Sequence, residues 1–176
     1  MMKDPKFFSN LNVEKQFSLE SEYEFELQSQ CMQRLCSSCV RVLGPVKAKV
    51  RFHYDMQLLQ ILTGSASVDV AFVCQRCQKE FVKNISCELK ATFDEKKVTT
   101  LQLENEYDVA QMDESGNFDL VNYIEDSLIL EIPFITNHEE GDPECTEFKE
   151  IITFGEDVTD TENPFSKLSA LKNSLK

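Results

Sequence analysis

Strict alternation of apolar and charged residues is the feature that most constrains what this chain can fold into. In the segment FSLESEYEFEL the glutamates fall on one face, and the apolar residues fall on the other: Phe17, Leu19, Tyr23, Phe25 and Leu27. A period of two residues is the signature of a β-strand that is buried on one face only. We therefore expect this segment to be a strand with an apolar face toward the core and an acidic face toward solvent.

A second alternating segment, VKAKVRFHYD, carries the opposite charge. Its basic row consists of Lys47, Lys49 and Arg51. If the two strands are neighbours, opposite charges face each other across the sheet, which stabilises the pair. Pairing with the glutamates is the structural interpretation of this basic row, and a binding role is the alternative.

Further segments complete a predicted α+β fold. LLQILTG, ASVDVAFVC and EFVKNISCELKATF read as strands, and QRCQK is short enough to be the hairpin loop between the last two. CMQRLCSSCVRVL is expected to form a short helix packed across the sheet, and residues 95–117 a long, partly mobile excursion. Asp119 is a suitable N-cap for the helix LVNYIEDSLILEI, which Pro133 would stop.

These elements predict an antiparallel sheet or a partly closed barrel, with a packed helix and an acidic, partly flexible C-terminal extension. We assign residues 1–154 to a single α+β domain. Residues 155–176 are assigned to a C-terminal tail with a short amphipathic helix.

The negative charge is concentrated in the second half of the chain. Residues 1–100 carry fourteen Lys/Arg against twelve Asp/Glu, whereas residues 101–162 carry nineteen Asp/Glu against one lysine. A strongly acidic surface repels phosphate, which argues against a broad nucleic-acid groove. Basic proteins are the more natural partners of this half, and a merely solvated acidic surface is the alternative.

The sequence shows no signature of secretion, of a membrane span or of common catalysis. The first residues, MMKDPKFFSN, contain no apolar segment, so we expect the seven cysteines to be reduced thiols in a soluble, cytoplasmic protein. No apolar run approaches the roughly 20 residues of a membrane helix. With five glycines in the chain there is no phosphate-binding loop. We therefore expect no membrane partner, no small-molecule substrate and no catalytic residue.

The segment VCQRCQKEF places Cys74 and Cys77 three residues apart at the predicted hairpin. Two thiolates on a tight turn can bind one tetrahedral zinc ion, but they supply only half of its ligands. Cys36 and Cys39 of CSSC would complete the site in one arrangement, and His138 with Cys145 in the other. Redox chemistry is disfavoured because the pair is flanked by strands, not by a helix N-terminus. Buried free cysteines are the remaining interpretation.

The order of four motifs resembles the YceD family of large ribosomal RNA subunit accumulation proteins. These motifs are VCQRCQKEF, DLVNYIEDSLILEIPF, HEEGDPEC and NPFSKLSALK, and the similarity extends from about residue 45 to the end. The resemblance implies that Cys74, Cys77, His138 and Cys145 are the matched cysteine and histidine positions. CMQRLCSSC departs from the family pattern, which separates Cys36 and Cys39 from that set.

The resemblance also implies a function. It points to a non-enzymatic, cytoplasmic factor that supports accumulation of the large-subunit ribosomal RNA and acts in ribosome biogenesis. The implied partner is a precursor of the large ribosomal subunit, through a basic ribosomal protein or through RNA contacted by Lys47, Lys49 and Arg51. A thiol-dependent or metal-dependent enzyme acting on RNA is the alternative.

The C-terminal segment ENPFSKLSALKNSLK reads as a tethered recognition helix. Asn163 can cap it, and Pro164 suits its first position. Its apolar stripe includes Phe165, Leu168 and Leu171, with lysines beside it; the expected partner-binding residues are Asn163, Pro164, Phe165, Lys167, Leu168, Leu171 and Lys172. Thirteen residues are too few for a stable isolated helix, so the stripe needs either a partner or its own domain to pack on.

Overall fold

The computed structural model describes residues 5–103, 105–139, 141–143 and 145. The chain divides into two compact units, residues 1–137 and 138–176, and nearly all of the described structure belongs to the first. None of the helices in the described part of the chain is both long enough and apolar enough to cross a membrane.

The first unit contains short helices and the strands of two sheets. In chain order the described elements are α1 (Pro5–Phe8), β1 (Leu11–Asn12), α2 (Val13–Ser18), β2 (Glu22–Leu27), a 3-10 helix (Ser29–Cys31), α3 (Gln33–Ser38), β3 (Arg41–Val42), β4 (Val46–Tyr54), β5 (Gln60–Val73), β6 (Glu80–Thr92), α4 (Glu95–Leu101), β7 (Asp108–Val109), β8 (Asn117–Phe118) and α5 (Leu120–Leu130).

The main sheet is open and mostly antiparallel. Its strand order is β2-β4-β5-β6-β7, and β3 pairs with the C-terminal end of β5. All of these pairs are antiparallel except β6 with β7. The short strands β1 and β8 form a separate antiparallel pair. The predicted α+β class is confirmed, and the sheet is open rather than closed into a barrel.

Strands β2 and β4 are neighbours, so their charged rows face each other, which is the structural interpretation of the basic row. The register places Glu22 opposite Arg51, Glu24 opposite Lys49 and Glu26 opposite Lys47. The Lys49 Nζ lies 3.2 Å from the Glu22 Oε1. The alternating apolar residues of β4 point to the other face of the sheet, where they are buried: Val46, Ala48, Val50 and Phe52.

The N-terminal part of the first predicted strand is wrong. Phe17 lies in α2 and Leu19 is 64% exposed. The cause is local, because the Asn12 side chain accepts a hydrogen bond of 3.0 Å from the Lys15 N–H and starts a helix there. A left-handed residue, Glu20 with φ of 44°, then separates α2 from β2.

The core lies between the inner face of the main sheet and the helices α1, α2, α3 and α5. The prediction of α5 is confirmed, since the Asp119 carboxylate accepts a 2.9 Å hydrogen bond from the Asn122 N–H. The predicted apolar stripe of Leu120, Ile124 and Leu128 is buried. Burial of this stripe is the main stabilisation available to a helix of three turns.

Helix α3 is joined to α5 by a buried carboxylate. The Glu125 Oε1 accepts hydrogen bonds from the backbone N–H groups of Arg34 at 2.8 Å and Leu35 at 3.0 Å. The Met32 side chain does not cap α3, so Glu125 takes that role from another element. The Arg34 guanidinium also donates hydrogen bonds to the side-chain oxygens of Glu125, Asp126 and Asn122.

The region predicted to be a long excursion contains regular structure. It includes α4, which Asp94 caps, and the short strand β7. Helix α4 covers the outer face of the sheet, where Val98 packs with Leu59 and Ile61 in a second, smaller apolar cluster. The sequence signal was weak here because the helix has one buried residue, Val98.

Candidate metal centre

The connection between β5 and β6 is a tight turn that carries Cys74 and Cys77. Val73 and Glu80 form the last pair of the two strands. The Cys74 N–H donates to the Lys79 carbonyl at 2.9 Å, and the Gln78 N–H donates to the Cys74 carbonyl at the same distance. Gln78 has a φ of 60°, the left-handed conformation that lets so short a turn close. The predicted hairpin is therefore confirmed.

The segment that follows α5 runs along this hairpin and supports it. The Gln75 N–H donates to the Thr136 carbonyl at 2.9 Å, and the Thr136 hydroxyl donates to the Val73 carbonyl at 2.9 Å. The Cys74 Sγ lies 3.7 Å from the Asn137 Oδ1. These contacts fix the chain immediately before His138. Sequence reasoning missed Thr136 and Asn137, because such contacts between segments distant in sequence have no spacing signature.

Four side chains meet as a Cys3His group. One ligand atom from each of Cys74, Cys77, His138 and Cys145 lies within 4.8 Å of the other three. Cys74, His138 and Cys145 are buried, and Cys77 is partly exposed. In a tetrahedral zinc site with Zn–S bonds of about 2.3 Å, neighbouring sulfurs are about 3.5 to 4 Å apart. The group is near enough to hold a metal ion.

The chemistry of the donors fits zinc. Thiolates are soft ligands and imidazole is a borderline one, both suit zinc, and Cys3His is one of the usual sets of structural zinc sites. Calcium and magnesium prefer oxygen ligands, which this group lacks. With four protein donors, the ion would have no open position for water, which is the arrangement of a structural site rather than a catalytic one.

Tight turns connect the last two members of the group. The Asp142 N–H donates to the Glu139 carbonyl at 3.3 Å, and the Cys145 N–H donates to the Asp142 carbonyl at 3.1 Å. Gly141 has a φ of 90°, which a side chain would disfavour. Both turns lie in the short sequence segment that runs from His138 to Cys145.

The other cysteines do not join this group among the residues that the structure describes. Cys36 and Cys39 lie at α3, where the Cys39 thiol donates to the Leu35 carbonyl at 3.3 Å. Burial, with a smaller contribution from Cys36, raises the pKa of Cys39, which disfavours a thiolate there. Cys87 belongs to the core, and burial raises its pKa to about 11.

The remaining predicted site residues fall into two classes. Lys47, Lys49 and Arg51 are exposed on the outer face of the sheet, opposite glutamates. The recognition residues of the C-terminal tail lie outside the described residues: Asn163, Pro164, Phe165, Lys167, Leu168, Leu171 and Lys172.

Two comparisons with known proteins indicate the same family. The family model described as large ribosomal RNA subunit accumulation protein YceD matches residues 62–172. The large ribosomal RNA subunit accumulation protein YceD of Haemophilus influenzae is 29% identical to the chain over 146 residues, which cover 80% of this chain and 82% of that protein. No solved structure matches the chain. The family match spans more than half of the chain and includes all four residues of the Cys3His group, and the chain belongs to the YceD family.

Proposed function

We propose that this protein supports accumulation of the large-subunit ribosomal RNA and acts in ribosome biogenesis by binding, as a non-enzymatic factor of the cytoplasm. The observation that carries this proposal is membership of the YceD family over residues 62–172. That range begins in β5 and contains the hairpin, α5 and most of the tail. The Cys3His group and α5 therefore lie inside the matched range, and the basic row of β4 lies outside it.

The proposed partner is a precursor of the large ribosomal subunit, contacted through a basic ribosomal protein or through ribosomal RNA. The formal net charge of the chain is −13, which favours a basic protein over phosphate. A smaller RNA contact would use Lys47, Lys49 and Arg51, whose positive charges are partly balanced by the opposing glutamates.

A zinc ion bound by Cys74, Cys77, His138 and Cys145 would have a structural role. When bound, it would cross-link two segments that are distant in sequence, one with Cys74 and Cys77 and the other with His138 and Cys145, and so stabilise the surrounding fold. The alternative of a metal-dependent enzyme acting on RNA needs an open coordination position, and a closed Cys3His set leaves none.

Sedimentation of cell extract at low salt tests the proposal. We expect the protein to co-migrate with precursor large subunits, and to leave them as salt is raised if phosphate contacts contribute. Depletion of the protein should lower the large-subunit ribosomal RNA relative to that of the small subunit. A protein that stays wholly at the top of a low-salt gradient would contradict the proposal.

A variant lacking residues 163–176 tests the tail in the same gradient. As a tethered recognition segment, the tail should be needed for co-migration but contribute little to stability, so the melting temperature should barely change. If the melting temperature falls by many degrees, the tail instead packs on its own domain.

A further inference from the structure

Strand β2 forms one edge of the main sheet. It pairs with β4 on one side, and no other strand in the described part of the chain pairs with its second side. An edge strand presents a row of backbone N–H and C=O groups, onto which an extended segment of another chain can add as a further strand. We refer to the second side of Glu22–Leu27 as the β2 edge, and it is a candidate interaction surface.

The register shows which residues of β2 turn their backbone toward this edge. The Phe52 N–H donates to the Ser21 carbonyl at 2.9 Å, which makes these two residues a hydrogen-bonded pair at the start of the ladder between β2 and β4. Hydrogen-bonded and non-hydrogen-bonded pairs alternate along an antiparallel ladder, so every second residue after Ser21 bonds to β4. The residues between them direct their backbone groups to the β2 edge: Glu22, Glu24 and Glu26.

The same three glutamates carry the charge of the β2 edge. Their side chains are exposed on the outer face of the sheet, and Glu22 is paired with Lys49. Glu24 and Glu26 form no ion pair with any residue that the structure describes, including the lysines of β4 that lie opposite them. The β2 edge therefore combines backbone hydrogen-bonding groups with carboxylates that a further cation can approach.

Strand β4 shows which sequence pattern suits β2. Its lysines and arginine lie opposite the glutamates on the outer face, and its apolar residues are buried on the inner face. A second strand of that pattern at the β2 edge places cations on both sides of each glutamate, which is favourable across neighbouring strands. On the inner face, its apolar residues lie beside Tyr23 and Phe25, which are only partly buried.

The same charge row argues against a second copy of the chain as the occupant. Only the glutamates direct backbone groups to the β2 edge, so they would form the hydrogen-bonded pairs of an antiparallel contact between two copies of β2. Glutamates would then lie directly opposite glutamates, and like charges in that position destabilise a strand pair. The partner is therefore a segment with cations at alternate positions.

The opposite side of the main sheet lacks a row of one charge. Strand β7 pairs with β6 only at Ala91 and Thr92. The exposed outer-face residues of β6 before that point are apolar, polar, acidic and basic: Val82, Asn84, Ser86, Glu88 and Lys90. Glu88 is paired with Lys90 at 3.1 Å. Strand β6 is therefore a control for the β2 edge within the same sheet.

We propose that the β2 edge binds an extended segment of a basic protein as an additional antiparallel strand, in which Lys or Arg alternates with apolar residues. The proposal rests on the proposed function and narrows it, because it selects a basic protein over RNA as the contact of β2. Backbone hydrogen bonds supply affinity, and the alternation determines which face of the segment meets the glutamates. The glutamates repel the phosphates of RNA.

Peptide binding to the full chain tests the backbone pairing. The probe is a short peptide of alternating Lys and Val, compared with one derivative N-methylated at the backbone of every Lys and another at the backbone of every Val. In the proposed pairing the Lys residues lie opposite the glutamates, so their backbone N–H groups are the ones that bond to β2. We expect methylation at Lys to weaken binding by roughly tenfold or more, and methylation at Val to leave it nearly unchanged. Equal losses in the two derivatives, or a larger loss in the Val derivative, would overturn the proposal.

Variants of the chain test the charge of the β2 edge. The double variant Glu24→Gln, Glu26→Gln should bind the unmodified Lys/Val peptide roughly fivefold more weakly. Glu88→Gln on β6 is the matched control and should leave binding unchanged. All of these side chains are exposed, so both melting temperatures should stay close to that of the parent. Equal losses in both variants, or tighter binding of a Glu/Val peptide or of oligouridine than of the Lys/Val peptide, would overturn the proposal.

Sedimentation of cell extract separates this inference from the proposed function. At low salt, the double variant should co-migrate with precursor large subunits less than the parent and Glu88→Gln do. Normal co-migration of the double variant would refute the inference and leave the proposed function standing. A parent chain that never co-migrates would contradict the proposed function itself.

Discussion

Gly64 allows the backbones of β4 and β5 to approach more closely than a side chain would permit. A Cβ atom added to residue 64 would lie 2.2 Å from the Lys49 carbonyl oxygen. No side-chain movement relieves this clash, because the obstacle is backbone in the middle of the sheet. Gly64 therefore belongs to the class of strand glycines that mark close approach.

We predict that Gly64→Ala destabilises the protein by more than about 2 kcal/mol, because the two central strands must separate. Urea denaturation of the purified variant measures the free energy of unfolding. Ser65→Ala, at the exposed neighbour in the same strand, is the control and should cost less than about 0.5 kcal/mol. Equal costs for the two substitutions would mean that the strands can adjust at this point.

At the residue scale, the sequence predicted which side chains could bind a metal ion, but not how the fold brings them together. The CxxC spacing placed Cys74 and Cys77 on one turn from local information. Reasoning from the residues left His138 with Cys145 and Cys36 with Cys39 as competing candidates, and the family resemblance pointed to His138 and Cys145. What brings His138 to the hairpin is the path of residues 134–137, which backbone hydrogen bonds fix and which no motif encodes.

At the scale of elements, the contact of α3 with α5 depends on one buried carboxylate. Glu125 satisfies two backbone N–H groups in the first turn of α3 and also contacts the Arg34 guanidinium, 3.2 Å from its Oε2. A carboxylate at a helix N-terminus is favourable both as a hydrogen-bond acceptor and through the helix dipole.

We predict that Glu125→Gln costs about 1 to 3 kcal/mol of stability, because an amide keeps one acceptor but loses the charge and the second oxygen. Thermal unfolding of the variant measures this cost. The control is Asp126→Asn, which removes the charge of the exposed partner of the same arginine and should cost less than about 1 kcal/mol. A larger loss in the Asp126 variant would locate the stabilising contact on the surface instead.

Elements whose signals lie within one short segment could be predicted from the sequence. Features that depend on residues far away in the sequence could not. α5 was predicted because its cap, apolar stripe and following proline lie within one short segment. α2 was missed because its last residues, from Phe17, also fit the alternating pattern of the following strand. The Asn12 cap starts a helix there instead. α3 was expected because its segment lacks the alternation of a strand, yet its cap is supplied by Glu125, ninety residues along the chain.

At the scale of the whole molecule, the complementary charge rows indicated that β2 and β4 would suit each other as neighbours, and the register shows that they are paired. The order of the other strands has no such signal. Individual exposed ion pairs such as Lys49 with Glu22 contribute little to stability.

The last prediction concerns zinc, whose binding would couple distant parts of the sequence. Protein purified without chelator should contain about one equivalent of zinc, because three thiols and an imidazole form a complete tetrahedral set. Cys77→Ser removes one ligand and should lower both the zinc content and the melting temperature, since the free energy of metal binding contributes to folding. Cys31→Ser is the matched control, because Cys31 is exposed and lies outside the Cys3His group. Elemental analysis and thermal unfolding of the three proteins measure both effects. Zinc below about a tenth of an equivalent in the parent, or equal zinc in parent and Cys77→Ser, would show that these residues are buried free cysteines and a histidine that bind no zinc.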